Sequence, residues 1–308
     1  MRKLTAVWRV VVIACAIAAL AVAAAGCGGD TGSSDSASSS SGSSSQSSGS
    51  TPSPGVNQQA ADQVPADIKS KGTLTVAADA SYAPNEFFDK DGKTVIGMDA
   101  DLADALASAL GLKAKVVNAT FDGIIPGLAA GKYDLGMSSF TDTKEREQTV
   151  DFVDYFSAGT SFYVKAQGGP DVSGLSDLCG HTVAVEKGTT QQDDAQAQAK
   201  KCKVTVSVFP DQNGANLALN SGRADVSMAD SPVADYAVKQ SNGQFKIVGK
   251  TYGTAPYGIA VPKGTDMTKA VQTALQGLMD DGTYKQILSK WGIESGAIDT
   301  AKINGAQS

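Results

Sequence analysis

From residue 63 onward, apolar and polar positions alternate between two rhythms. A short apolar run at 74–77 reads as a strand, and Leu102, Ala105, Leu106, Ala109 and Leu110 then recur at helical spacing. Asp99 is the candidate N-cap of that helix and Gly111 its stop. A strand at 114–117, a short helix at 124–130 and a strand at 133–137 follow. After Val164 the alternation restarts, with strands at 182–185, 204–209 and 224–228 and helices at 191–201 and 215–220. Such alternation predicts an α/β chain of parallel sheets covered by helices. The chain closes with a strand at 258–261 and a helical run through Val271, Leu275, Leu278, Tyr284, Ile287, Leu288 and Trp291, broken at Asp281-Gly282.

One unit of this pattern occurs twice. Ala130-Gly-Lys-Tyr-Asp-Leu-Gly-Met-Ser-Ser139 matches Ser221-Gly-Arg-Ala-Asp-Val-Ser-Met-Ala-Asp230, position for position. In each copy a helix ends at Gly, a basic residue follows, and a short apolar strand delivers a polar side chain. The repeat predicts two α/β lobes. With the last helices packed back on the first lobe, the chain crosses twice, near 162–165 and near 255–257. Two crossings make a hinge, and ligands of such sheets sit at the carboxyl ends of strands facing the crevice.

The first copy runs directly into Gly136-Met-Ser-Ser-Phe-Thr-Asp-Thr-Lys-Glu-Arg146, which brings Ser139, Thr141 and Arg146 into one loop. A guanidinium offers a planar fork of donors that matches a carboxylate. The second copy delivers Asp230, a carboxylate suited to an ammonium. Donors at one end and a carboxylate at the other suit a zwitterion. Each residue also has a duller reading. Arg146 could lie on a solvated helix face, Asp230 could cap a helix, and Tyr82 and Phe121 could be core aromatics.

The ends of the chain add an address. Arg2, Lys3 and Arg9 precede an apolar run from Val10 to Ala25, then Gly26-Cys27. That run is shorter than the roughly 20 residues a membrane-spanning helix needs, so residues 1–26 read as a secretory signal. Cys27 after Ala-Ala-Gly resembles a bacterial lipoprotein signal with an acylated cysteine, although Ala24 stands where such signals usually carry Leu. Residues 27–62 then form a Ser-rich flexible tether, too poor in apolar side chains to fold. Losing the three basic residues of 1–26 takes the formal net charge from −6 to −9. An acidic body argues against nucleic acid as a partner, and leaves the lipid to hold the protein at the membrane. Cys179 and Cys202 precede two strands that can be parallel neighbours, and in an exported protein they predict a disulfide rather than two buried thiols.

Further motifs stand in order: Leu74-Thr-Val-Ala-Ala-Asp-Ala-Ser-Tyr-Ala-Pro-Asn-Glu-Phe87, Gly97-Met-Asp-Ala-Asp-Leu102, Phe121-Asp-Gly-Ile-Ile-Pro-Gly-Leu128, Gly188-Thr-Thr-Gln191, Asp230-Ser-Pro-Val233 and Asp281-Gly-Thr-Tyr284. With residues 138–146 they resemble the polar amino-acid-binding proteins of bacterial ABC importers, solute-binding protein family 3, over residues 72–293. The resemblance implies a two-lobed periplasmic-binding-protein-like fold of type II. In it, two parallel-rich sheets are joined by a two-segment hinge, with the ligand in the interlobe cleft. Lobe 1 would be residues 63–164 with 256–308, and lobe 2 residues 165–255.

The resemblance further implies that Arg146 clamps the α-carboxylate of an amino acid, helped by Thr141 and by Thr189 and Thr190 at a helix start. Ser139 and Asp230 would accept from the α-ammonium, and Tyr82 and Phe121 would sandwich the side chain. Asp79 would face its polar end, favouring arginine, lysine, histidine or glutamine over an acidic ligand. Asn85 departs from the Phe usual in the family. Partners would be the free amino acid and the permease subunits, with the protein a monomer held outside the cytoplasmic membrane. Lone His181 cannot build a metal site or a Ser-His-Asp relay, and Gly168-Gly169-Pro170 is no phosphate cradle. The expectation is therefore a binding protein without metal, cofactor or catalytic residues. The alternatives are a cyclohexadienyl-dehydratase-like enzyme on the same fold, with Asp79 or Glu86 as general acid, and an amino-acid sensor.

Overall fold

The computed structural model describes residues 54–306. The signal at 1–26, Cys27 and most of the Ser-rich tether lie outside the described residues. Helices α1 (Gln58–Gln63) and α2 (Ala66–Lys71) lead into strand β1 (Thr73–Ala78) and the short strands β2 (Ser81–Tyr82), β3 (Glu86–Phe88) and β4 (Val95–Ile96). Helix α3 (Met98–Ala109), β5 (Lys113–Asn118), α4 (Phe121–Ala129) and β6 (Leu135–Gly136) complete the first half. The long strand β7 (Val150–Lys165) leads to β8 (Thr182–Glu186), α5 (Thr190–Ala199), β9 (Thr205–Phe209), α6 (Gln212–Ser221), β10 (Val226–Asp230) and α7 (Ser231–Gln240). Strand β11 (Phe245–Pro262) returns to the first half, where α8 (Met267–Asp280) and α9 (Thr283–Trp291) follow.

The α/β alternation is observed. Strands β5, β1 and β6 are parallel neighbours in one half, and β10, β8 and β9 in the other. The expected two sheets are hydrogen-bonded into one order, β5-β1-β6-β11-β7-β10-β8-β9, because both crossing segments are themselves long strands. Strand β7 pairs with β11 along its length, from Val150 to Lys165, and only its residues from Thr160 to Val164 pair also with β10 of the second half. The first crossing therefore falls at Gly159, a few residues before the expected 162–165. A side-chain carbon on Gly159 would stand 2.6 Å from the Tyr252 carbonyl oxygen, so this close passage needs glycine. The second crossing spans the irregular pairing of β11 between Val248 and Ala255, next to the expected 255–257.

Each half has its own apolar core. Leu102 and Leu106 of α3 pack with Val271, Leu275 and Leu278 of α8 and with Ile287 and Leu288 of α9, so the last helices do cover the first half. Phe162, Val183, Val185, Val226 and Met228 make the second core. Packing of this kind is what stabilises short amphipathic helices.

Three further expectations are corrected. Helix α1 lies inside the stretch read as tether, because Ala60 is fully buried and Asn57 caps the helix through the Ala60 N–H. Gly97, not Asp99, is the N-cap of α3, since the Asp99 carboxylate turns inward to accept from the Ser139 N–H at 2.9 Å. Helix α6 starts at Gln212 rather than 215, where Asp211 accepts from the Gly214 N–H. Cys179 and Cys202 form the expected disulfide, beside the parallel register Thr182 to Thr205.

Candidate functional site

The carboxyl ends of β1 and β6 face those of β8 and β10 across a closed cleft. Tyr82 packs in one apolar group with Tyr163, Leu219, Ala229 and Val233 of the other half. The Lys187 ammonium reaches Asp122 at 2.7 Å, and the Gln212 N–H donates to Ser81 Oγ at 3.1 Å.

Arg146 opens a short 3₁₀ turn, Arg146–Gln148, rather than a full helix. Its Nη1 donates to the Thr141 carbonyl at 2.7 Å and its Nη2 crosses the cleft to the Gly188 carbonyl at 2.9 Å. The guanidinium also lies over the rings of Phe121 and Phe140, at 5.3 and 5.6 Å, where ring quadrupoles favour a cation. Burial draws its pKa down, and Asp230 opposes that shift. The solvated-face reading of Arg146 is thereby set aside.

Gly188 leads into Thr189, the N-cap of α5, whose hydroxyl oxygen accepts from the Gln192 N–H. That hydroxyl donates to the Glu186 carbonyl at 2.8 Å, so Thr189 shapes the turn, and Thr190 is the first residue of the helix. The N-terminus of α5 thus stands beside Arg146, adding dipole and donors for an anion.

Asp230 ends β10 and is 6 % exposed. It occupies the N-cap position of α7 but makes no side-chain cap bond. Its Oδ1 instead accepts from Gln191 Nε2 at 2.7 Å, and the same amide donates to Thr160 Oγ1 at 2.8 Å. Burial raises its pKa to about 6, against the pull of Tyr257, Gln191 and Arg146, so at neutral pH it is a carboxylate. Gln191, last residue of the Gly188-Thr-Thr-Gln191 motif, is a site residue that the sequence pattern does not single out.

Ser139 is held at φ +51° by a buried set of acids. Asn85 Nδ2 donates to Ser139 Oγ at 2.8 Å, and Ser139 Oγ donates to Glu86 Oε2 at 3.2 Å. Glu86 Oε1 accepts from Ser138 Oγ at 2.9 Å. Burial and the nearby Asp99 push the Glu86 carboxyl well up, so the pair shares a proton rather than carrying two charges. Asn85, where the family usually carries Phe, is fully buried and serves Ser139.

Tyr82 and Phe121 stack with centroids 6.1 Å apart and planes within 7°. Asp79 Oδ2 accepts from the Phe121 N–H at 3.0 Å and Oδ1 from the Ser81 N–H at 3.1 Å. Asp79 therefore anchors the start of α4 as well as edging the cleft. Of the ligand residues expected from the sequence, the structure joins Arg146 to Thr141, Phe121 and the turn at Gly188-Thr189, Asp79 to Phe121, and Phe121 to Tyr82. Ser139 and Asp230 sit in separate hydrogen-bond groups, and Thr190 is placed only as the first residue of α5. Glu186, at the end of β8, was missed. In sequence it reads as one more surface carboxylate beside Lys187, but the structure buries it.

The sequence matches a family model for bacterial extracellular solute-binding proteins, family 3, over residues 74–294. The chain belongs to that family. It is similar to an arginine-binding protein of Corynebacterium glutamicum, 37% identical over 78% of this chain and 81% of the relative. Among solved structures it is similar to an ancestral arginine-binding protein bound to arginine, with 41% identity and a TM-score of 0.69 over 71% of this chain and 98% of that one. An ancestral amino-acid-binding protein, a precursor of cyclohexadienyl dehydratase, is 38% identical with a TM-score of 0.67, covering 73% of this chain and 97% of that one. Family members with such names are binding proteins of amino acids, including members of ABC transporters.

Proposed function

We propose that this chain is the extracytoplasmic substrate-binding component of an ABC importer, capturing a basic or amide amino acid by lobe closure and delivering it to the permease. One observation carries the reading. Arg146 of the first half already bonds Gly188 of the second, while the Asp230 carboxylate stands close enough to act on its charge. A ligand α-carboxylate offered to Arg146 and the N-terminus of α5 would put its ammonium toward Asp230 and Ser139. Its side chain would then run between Tyr82 and Phe121 toward Asp79. A second carboxylate there would meet the Asp79 carboxylate, so glutamate and aspartate are disfavoured.

The hinge of this reading is the pair of crossings at Gly159 and between Val248 and Ala255. The anchor is Cys27, acylated after loss of residues 1–26, which tethers a monomer to the outer face of the cytoplasmic membrane. Labelled-lipid incorporation that survives Cys27→Ala would overturn the anchor.

Calorimetric titration of residues 54–308, stripped of ligand by partial unfolding, with arginine, lysine, histidine, glutamine and glutamate tests the function. Binding of one basic or amide amino acid without turnover is expected. No binding by any of them overturns the reading, and conversion of the ligand would move the protein to the enzymes.

A further inference from the structure

Glu186 is 1 % exposed, and its carboxyl oxygens meet only the Tyr82 hydroxyl and the Asp79 carboxyl, with no cation on either. A buried carboxyl with no cation beside it costs free energy to ionise, so its position at the cleft end of β8 suits a cationic partner that arrives with the ligand. The groups facing it are Asp79 and Tyr82 from the segment after β1, Asp211 at the start of α6 and Tyr163 from β7. Lys187, next in the chain, is turned outward to Asp122. Negative neighbours on a desolvated site hold an acid in its neutral form, and burial followed by Asp79 pushes the Glu186 carboxyl up to about 10. Asp79 is the better-stabilised anion of the two, because two backbone N–H groups already donate to it.

We propose that Glu186 selects the ligand's side chain, and that a cationic side chain binds it by displacing its proton, so that capture of a basic amino acid releases one proton. This rests on reading the cleft as an amino-acid site. The step is balanced: the Glu186 carboxylic acid and a guanidinium become a carboxylate–guanidinium pair, and the proton goes to the buffer. Two carboxylate oxygens with no cation on them suit the two-pronged fork of a guanidinium. A neutral amide side chain would instead meet the protonated acid and release nothing.

The experiment is titration of the wild-type chain with L-arginine and L-glutamine in two buffers of different protonation enthalpy. One proton bound or released per ligand corresponds to about tenfold in affinity per pH unit. Arginine affinity should therefore rise by about tenfold per unit between about pH 7 and 8.5, above the range where Asp230 titrates. Glutamine affinity should stay flat. Glu186→Gln, a neutral replacement of the same shape, should abolish the proton release and the slope, and lower the preference for arginine over glutamine. Arginine binding with buffer-independent enthalpy and no slope would overturn the proposal while leaving the site standing. So would proton release that persists in Glu186→Gln. Failure of every amino acid to bind would bring down the reading of the cleft itself.

Discussion

In both copies of the repeated unit the glycine after the helix is left-handed, Gly131 at φ +69° and Gly222 at φ +75°. In both, an aspartate three residues on bonds the start of the neighbouring strand twice. Asp134 donates its N–H to the Thr75 carbonyl and accepts the Thr75 N–H, and Asp225 does the same with Thr182. The copies part at their far ends. Ser139 is strained and gripped by Asn85, Glu86 and Asp99, whereas Asp230 rests on the amide of Gln191. What repeats is scaffold, and what differs is the chemistry set on it. A donor-rich end and a carboxylate end thus stand on the two halves, which neither copy could provide alone.

The strongest way to break that complementarity is Arg146→Ala. Removing one partner of a desolvated charge pair costs roughly 2–5 kcal/mol, so arginine affinity should fall by on the order of 10²- to 10³-fold. The circular dichroism spectrum should stay unchanged, because Arg146 lies on the outer faces of Phe121 and Phe140 rather than among the core side chains. Retained affinity would mean that the first copy does not hold the carboxylate.

The halves also differ in stapling. The Cys179–Cys202 bridge, 23 residues apart in sequence, lies wholly in the second half. Closing a loop of that size restrains the unfolded chain by about 3 kcal/mol in the loop-entropy account. Replacing both cysteines with alanine should lower hydrogen-exchange protection in β8 and β9 by that order and leave β1 and β5 as they were. Equal loss in both halves would show that they unfold as one unit.

A third comparison is of charge. Asp99 behind the first copy and Asp230 at the tip of the second both have pKa values raised from 3.8 to about 6 by burial. Between those values the native state holds protons that the unfolded state has released, so stability falls as pH rises from about 4 to about 6. Each group costs about 2–3 kcal/mol at neutral pH. Asp230→Asn should therefore raise the melting temperature of the ligand-free protein at pH 7 and flatten its pH profile, while weakening ligand binding. A site that costs stability when empty is expected of a binding cleft.

Much of this was legible in the chain. Apolar runs at 74–77 and 182–185 mark strands buried on both faces, and the repeat announced the pair Ser139 and Asp230. The crossing strands were not legible, because Val150–Lys165 mixes Asp, Ser, Thr and Gly with aromatics and has neither rhythm. Polar positions there are buried by tertiary pairing with β10 and β11, which no local window contains. Gln191 and Glu186 escaped for a similar reason. Gln191 is held by Thr160 and Asp230, far away in sequence, and Glu186 faces Asp79 and Tyr82 of the opposite half; in sequence a Gln near a helix start or a Glu before Lys looks like surface.

The smallest effect tests the scaffold half of the comparison. Asp134→Ala and Asp225→Ala each remove the acceptor of one strand N–H, and a buried donor left unsatisfied costs about 1–3 kcal/mol. The two sites are not equally dry: the Asp134 side chain is 16% exposed and that of Asp225 48%. Water can replace the lost acceptor at Asp225, and its long approach to His181, at 3.9 Å, adds little at the surface. Denaturant titration should therefore show a loss of about 1–2 kcal/mol for Asp134→Ala and about 0.5 kcal/mol for Asp225→Ala. Ligand affinity should stay within about twofold in both, because each aspartate stands at the amino end of its strand, far from the cleft. A change in affinity as large as the change in stability would mean that scaffold and site are not separable in this fold.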